Sequence, residues 1–289
     1  MTFDEIKNIL SNLIARLPVE RFRNPPPVIG ILRLEGVIGR SAGSGRQSLS
    51  LDSYERAIGK LFDRKNLKAV ALVINSPGGS PVQSALIAKR IRDLADDKGM
   101  PVVSFCEDVA ASGGYWLACA GDEIFADANS IVGSIGVISA GFGFADLIER
   151  FGIERRIYST GPRKGMLDPF QDEKPEDVDR LRELQEDVFE NFKSYVYERR
   201  GDMLKGSDEA LFTGDIWTGN QALEIGLVDG LAEMRSEMRK RYGDKVKFYK
   251  AGVRRGLFSR LRNRSLSITA PAEIVSALDD WALWKRYGL

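Results

Sequence analysis

Residues 69–74, AVALVI, are an unbroken apolar run that stops at Asn75-Ser76-Pro77-Gly78-Gly79. A strand that is apolar at every position has both faces covered, which is the condition of a strand inside a parallel sheet. The glycine pair then opens a helical pattern over 82–94, and the same order recurs along the chain. A strand at 102–105 leads to a helix from Ser112, a strand at 123–125 follows, then a segment at 131–139 with Gly133 and Gly136, then a helix at 144–151. Further strands are expected at 28–34, 154–158 and 246–249, and helices at 51–63, 175–199, 218–226 and 231–242. Alternation of this kind predicts an α/β domain with a mostly parallel sheet.

Two of the strand-to-helix turns carry residues suited to chemistry. In FCEDVAASGGYWLACA, residues 105–120, Ser112 stands where the helix begins, with Gly113 letting the backbone come close. A hydroxyl there can cap the helix, which is the first reading of an isolated SGG, or it can act as a nucleophile beside free backbone N–H groups. The Gly78-Gly79 pair reads equally as a plain turn or as exposed N–H groups forming half of an oxyanion hole. It lacks the spacing of a phosphate loop. Tyr115 and Trp116, just after Ser112, are expected to give the substrate site an apolar wall.

The chain contains no histidine. A Ser-His-Asp triad, a Cys-His pair and a histidine-based metal centre are thereby excluded, so serine chemistry here needs lysine as its base. No metal or cofactor is expected. Lys164, in the loop STGPRKGMLDP at 159–169, reads on local sequence alone as one more solvated lysine. Cys106 and Cys119 read as small buried apolar residues.

Forty-two Lys and Arg stand against 41 Asp and Glu, so a net charge of +1 gives no support for nucleic acid as a partner. Three segments are expected: an amphipathic helix and proline-rich linker at 1–27, a catalytic domain at 28–250, and a basic segment with a last helix at 251–289. Arg254, Arg255, Arg260, Arg262 and Arg264 interleave with Leu257, Phe258 and Leu261. Peripheral contact with an anionic membrane through this run and the helix at 3–17 is one expectation, and a solvated tail the other. Without a membrane-spanning run or signal-peptide pattern, the expected location is cytoplasmic.

Taken together, NSPGG at 75–79, ASGGYWLA at 111–118, VGSIGVI at 132–138, the Lys164 loop and WTGNQALEIGLVDG at 217–230 resemble the signal peptide peptidase A family of serine proteases. The resemblance covers about residues 28–246. It implies the Clp protease/crotonase-like fold, a superhelix of repeated strand-strand-helix units. It also implies a Ser-Lys dyad with Ser112 as nucleophile, Lys164 as base, and the N–H groups of Gly79 and Gly113 as oxyanion donors, with Gly78 among the substrate-binding residues. Peptides, hydrophobic ones such as cleaved signal peptides, are the implied substrates. The Ser112-to-Lys164 interval is similar to that of short, single-repeat members, which implies a homo-oligomer with shared sites. One departure is Gly214-Asp215, where the family usually has Gly-Arg. A crotonase-like acyl-CoA enzyme and an inactive membrane-associated scaffold remain the competing readings.

Overall fold

The computed structural model describes residues 25–39, 49–161, 163–252 and 281–288. Its framework is one sheet of eight strands: β1 (Val28–Glu35), β2 (Leu67–Ser76), β3 (Val102–Ala111), β4 (Glu123–Ala126), β5 (Ile131–Gly133), β6 (Ile216–Thr218), β7 (Gly230–Leu231) and β8 (Lys247–Lys250). The order is β6-β5-β3-β2-β1-β8, with β4 pairing β3 and β7 pairing β4. Every pairing is parallel except β5 with β6.

The unbroken apolar β2 has the cover on both faces that its sequence requires. On one face Leu32, Leu34, Val70, Leu72 and Ile74 join the main core with buried residues of α1 (Leu51–Phe62) and α2 (Pro81–Lys98). Also in this core are α3 (Gly113–Ala118) and the inner face of the long α5 (Pro175–Arg200). On the other face Ile29, Ala69, Ala71, Val103 and Phe105 pack with Met238 of α8 (Met234–Tyr242). The remaining helices, α4 (Ala145–Arg150), α6 (Asp208–Leu211) and α7 (Gly219–Glu224), are short. Local signals set the ends: the Ser80 side chain caps α2, Gly99 ends it in the left-handed region at φ 55°, and Thr218 and Gln221 form a capping box on α7.

One irregularity positions the site. Ile74 pairs Cys106 but Ser76 pairs Ala110, so β3 bulges between these points. Asn75 fills the gap, its Nδ2 donating to Asp108 Oδ2 at 2.7 Å and its Oδ1 accepting from Val109 N at 3.3 Å. Before the bulge β3 pairs β4, and after it β5. The bend thus brings the ends of β2, β3 and β5 together.

Three expectations need correction. Residues 154–158 are exposed and form no strand, and among the described residues no strand runs beside them. The segment 131–139 is a strand only to Gly133, since Gly133 at φ 104° and Ser134 at φ 52° turn the chain away. The helix expected at 231–242 begins at Met234, where the Glu233 carboxylate caps it, while Gly230 and Leu231 pair with β4. The amphipathic helix at 3–17, most of the loop at 41–50 and the basic run at 253–264 lie outside the described residues.

Candidate active site

The parallel strands β2, β3 and β5 end side by side, and three turns leave from there, a usual place for a site in such sheets. After β3 comes Ser112, at φ 52° and ψ −123°. Its N–H donates to Gly133 O at 2.7 Å, and its carbonyl accepts from Tyr115 N at 2.9 Å and Trp116 N at 3.0 Å. Its side chain makes no capping hydrogen bond. The helix-cap reading of SGG therefore fails: the backbone is held in a conformation that a side chain rarely adopts, while the hydroxyl stays uncommitted. Ser112 and Ser134 are two of the four non-glycine residues with positive φ among the described residues.

The turn after β2 closes on this serine. A Cβ at Gly78 would come 2.8 Å from Ser112 Cβ and 3.0 Å from Gly113 N. At Gly79 it would come 2.1 Å from Ile38 O, so only glycine fits there. Ile38 N donates to Gly78 O and Ser80 N to Ile38 O, both at 2.8 Å, which pins the turn from outside. Ser76 Oγ donates to Gly36 O at 2.6 Å and accepts from Gly78 N at 3.2 Å. Among the described residues neither Gly79 N nor Gly113 N has an acceptor. Two free donors beside one free hydroxyl can hold a developing oxyanion during acyl transfer.

Ser112 opens into a cavity of about 580 Å³ whose wall includes Ser134, Val137, Ile138, Phe189, Phe212 and Gly214. Ser134, which the sequence reading passed over, is 4% exposed, and its N–H donates to Asp215 O at 2.6 Å. Its hydroxyl has no partner among the described residues and faces the same space. The signal was available in VGSIGVI, where a serine follows a glycine at a strand end. Asp215, the departure from Gly-Arg, takes the Thr213 hydroxyl at 2.8 Å within its own turn on the rim of this cavity.

Tyr115 and Trp116 correct an expectation: they line the core and not the cavity. Tyr115 is fully buried, and its hydroxyl donates to Leu227 O at 2.8 Å. The Trp116 ring stacks on Phe192 at 4.7 Å and Tyr195 at 5.5 Å, both on α5. One turn of α3 holds both residues inward, so their large rings fix the helix under Ser112. Cys106 and Cys119 are free, buried thiols pushed up to about 12 by burial, and no nucleophile at neutral pH.

Lys164 stands elsewhere. It is exposed in a turn, its N–H donating to Gly161 O at 3.2 Å, and it does not line the cavity of Ser112. Not one described residue between 136 and 176 is buried. This arm is tied to itself by Phe144 N donating to Pro169 O at 2.6 Å, by Arg155 with Asp168 at 3.2 Å, and by the Phe144 and Phe170 rings at 5.6 Å. It nevertheless exposes Phe142, Leu147, Phe151, Ile153 and Tyr158.

A second cavity, about 650 Å³, lies against the other face of the sheet between Ile31, Arg33, Val73, Phe105 and the start of α8. Two of its charged groups pair with each other, Arg33 donating to Glu107, and Asp108 accepts from Asn75 Nδ2. Ser130 Oγ there donates to Cys106 O at 3.1 Å and the Cys106 thiol is held protonated by burial, whereas the smaller cavity has the Ser112 hydroxyl without a partner among the described residues.

Residues 95–245 match the sequence profile of Peptidase family S49. The chain belongs to that family. An S49 domain with this parallel sheet is of the Clp protease/crotonase-like fold, and a serine peptidase, not an acyl-CoA enzyme, is the reading the family supports. A putative signal peptide peptidase SppA of Enterococcus faecium is 33% identical over 201 residues, covering 68% of this chain and 58% of that protein. Protease 4 of Haemophilus influenzae is 30% identical over 223 residues, 75% of this chain and 35% of that protein. A protein of Brucella abortus named Na(+)/H(+) antiporter NhaA is 48% identical over 291 residues, 97% of this chain but 39% of that protein. This S49 chain thus spans about two-fifths of the Brucella protein. The antiporter name belongs to that longer protein; among the described residues of this chain no helix is long and apolar enough to cross a membrane.

Proposed function

We propose that the chain is a serine endopeptidase that cleaves extended, largely apolar peptides, cleaved signal peptides among them, through a Ser112-Lys164 dyad completed between neighbouring copies. The observation that carries this reading is the uncommitted Ser112 hydroxyl, held at φ 52° beside two free N–H groups. Neutral Lys164 takes the proton as Ser112 Oγ bonds to the scissile carbonyl carbon, and Gly79 N and Gly113 N hold the oxyanion. The C–N bond then breaks, and the departing amine takes the proton from Lys164. Water, deprotonated by the same lysine, cleaves the resulting ester and restores both residues.

A lysine has a reference pKa near 10.4 and is a base at neutral pH only when desolvated or set near another cation. Lys164 is exposed in the single chain, next to Arg163, and its apolar neighbours Met166 and Leu167 are half-buried. A second copy packed on the arm would supply the missing cover and place Lys164 at a neighbour's Ser112. Repeated head to tail, such a contact closes a ring.

Mixing Ser112→Ala with Lys164→Ala protein tests the shared site. Hydrolysis of a fluorogenic peptide should return in the mixture, because some contacts then join an intact Ser112 to an intact Lys164. Mixed assemblies that form and stay inactive would refute sharing. A serine-directed phosphonate that never labels the assembled wild type would refute the peptidase reading and leave an inactive scaffold.

A further inference from the structure

Residues 281–285 are helical, and a turn follows through 288. Leu283, Trp284 and Tyr287 are half-buried, while Trp281, Ala282, Lys285 and Arg286 are exposed. The spacing i, i+1, i+4 puts the three covered residues on one face. Tyr287, on that face, brings its hydroxyl 3.5 Å from the carbonyl oxygen of Pro77, the residue before Gly78. Arg286 forms part of the wall of the Ser112 cavity. The segment therefore touches the oxyanion turn and the cavity mouth together.

Its hold there is weak. The hydroxyl contact is at the long limit of a hydrogen bond. Arg286 has no carboxylate partner among the described residues, only the ring of Tyr287 at 6.0 Å. Half-buried side chains, one long hydrogen bond and no ion pair describe a contact that a better ligand displaces. An extended peptide reaching Ser112, or the arm of a second copy, needs the same ground.

We propose that residues 281–287 are a removable cap on the mouth of the Ser112 cavity, which substrate or the neighbouring arm displaces. The cap gains its meaning from the reading of Ser112 as nucleophile, but its test does not depend on catalysis. In the full chain carrying Ser112→Cys, the new thiol reports access to the cavity. Cys106 and Cys119, buried with values pushed up to about 12, stay silent toward a neutral dithiodipyridine reagent. A cap closed nine-tenths of the time slows the reaction about tenfold. Adding Trp284→Ala with Tyr287→Ala should therefore raise the rate about tenfold, with one thiol still reacting per chain. Should three thiols react, the double variant has unfolded, and Arg286→Glu, which alters only an exposed side chain, replaces it with a rise of about threefold expected. Equal rates with and without the substitutions on a folded chain overturn the cap. A faster thiol in a chain whose wild type never hydrolyses peptide would keep the cap and sink the peptidase reading instead.

Discussion

Around Ser112, residues 109–120 contain one half-buried position, Ser112 itself, among neighbours that are all buried. From 136 to 176 no described residue is buried. The Ser112 turn is fixed by contacts from four directions: Gly133 O behind it, Gly78 beside it, Leu227 O on Tyr115, and the α5 rings on Trp116. The arm with Lys164 is fixed mainly by itself. The difference separates two jobs. A strained φ persists only where packing over-determines it, so the Ser112 turn takes its shape within one chain. A base that must lose its water can be delivered by association, and a self-contained arm with an apolar surface suits delivery.

The sharpest break in that comparison is chemical. Ser112→Ala and Lys164→Ala should each lower kcat/KM for a peptide by about 10⁴ or more, because members of a dyad act as a unit. Both should leave the free energy of urea unfolding within about 1 kcal/mol of wild type, since one side chain makes no hydrogen bond among the described residues and the other is exposed. Normal turnover in either variant would end the dyad assignment.

Next in size is the support of the turn. Trp116→Ala removes a ring stacked against Phe192 and Tyr195 and should cost about 3–5 kcal/mol in stability, with activity lost through the fold. Equilibrium urea unfolding measures it. A cost below about 1 kcal/mol would mean that α5 does not anchor α3.

A smaller, pH-dependent effect probes the same core. Burial above all, and for Cys106 the closeness of Cys119 as well, pushes the Cys106 and Cys119 thiols up to about 12. In the unfolded chain a thiol ionises near 8.5. Above that pH the unfolded chain gives up protons that the folded chain keeps, so stability is whole below it and falls as pH rises toward 12. Each thiol should contribute a loss of about 1.4 kcal/mol per pH unit across that window. Urea midpoints at pH 8 and pH 10 should therefore drop for wild type and drop less for the double Cys→Ala variant; equal slopes would contradict thiols of this kind.

How much of this was legible in the sequence follows the same divide. The apolar run at 69–74 announced the parallel sheet because burial on two faces leaves no room for polar positions, and Thr218 announced its helix by a cap. Ser112, Gly113 and Gly79 stood at strand ends, where local pattern and resemblance pointed to one place. Tyr115 and Trp116 misled, because adjacency to Ser112 in sequence says nothing about which side of a one-turn helix faces the cavity. Ser134 was passed over although VGSIGVI places a serine after a glycine at a strand end; that it shares a cavity with Ser112 shows only once β5 lies beside β3. The strand expected at 154–158 has no pairing partner among the described residues, and pairing is a property of two segments.

That last segment yields the smallest expected change in stability. Phe151 and Tyr158 are 74% and 93% exposed, and neither belongs to the arm's internal cluster of Phe142, Phe144 and Phe170. Changing both to serine removes almost no buried area, so in dilute monomer the free energy of urea unfolding should stay within about 0.5 kcal/mol of wild type. If these side chains instead belong to an interface, the same double variant should shift the assembly equilibrium strongly toward monomer, as seen by analytical ultracentrifugation. Peptidase activity should fall with it and recover in part at higher protein concentration, because mass action restores what weaker contacts lose. A variant that assembles and cleaves like wild type would show that the apolar arm is not the docking surface, and Lys164 would have to reach Ser112 by another route. A large loss of monomer stability would show that the arm packs on its own domain, and the contrast with the Ser112 turn would disappear.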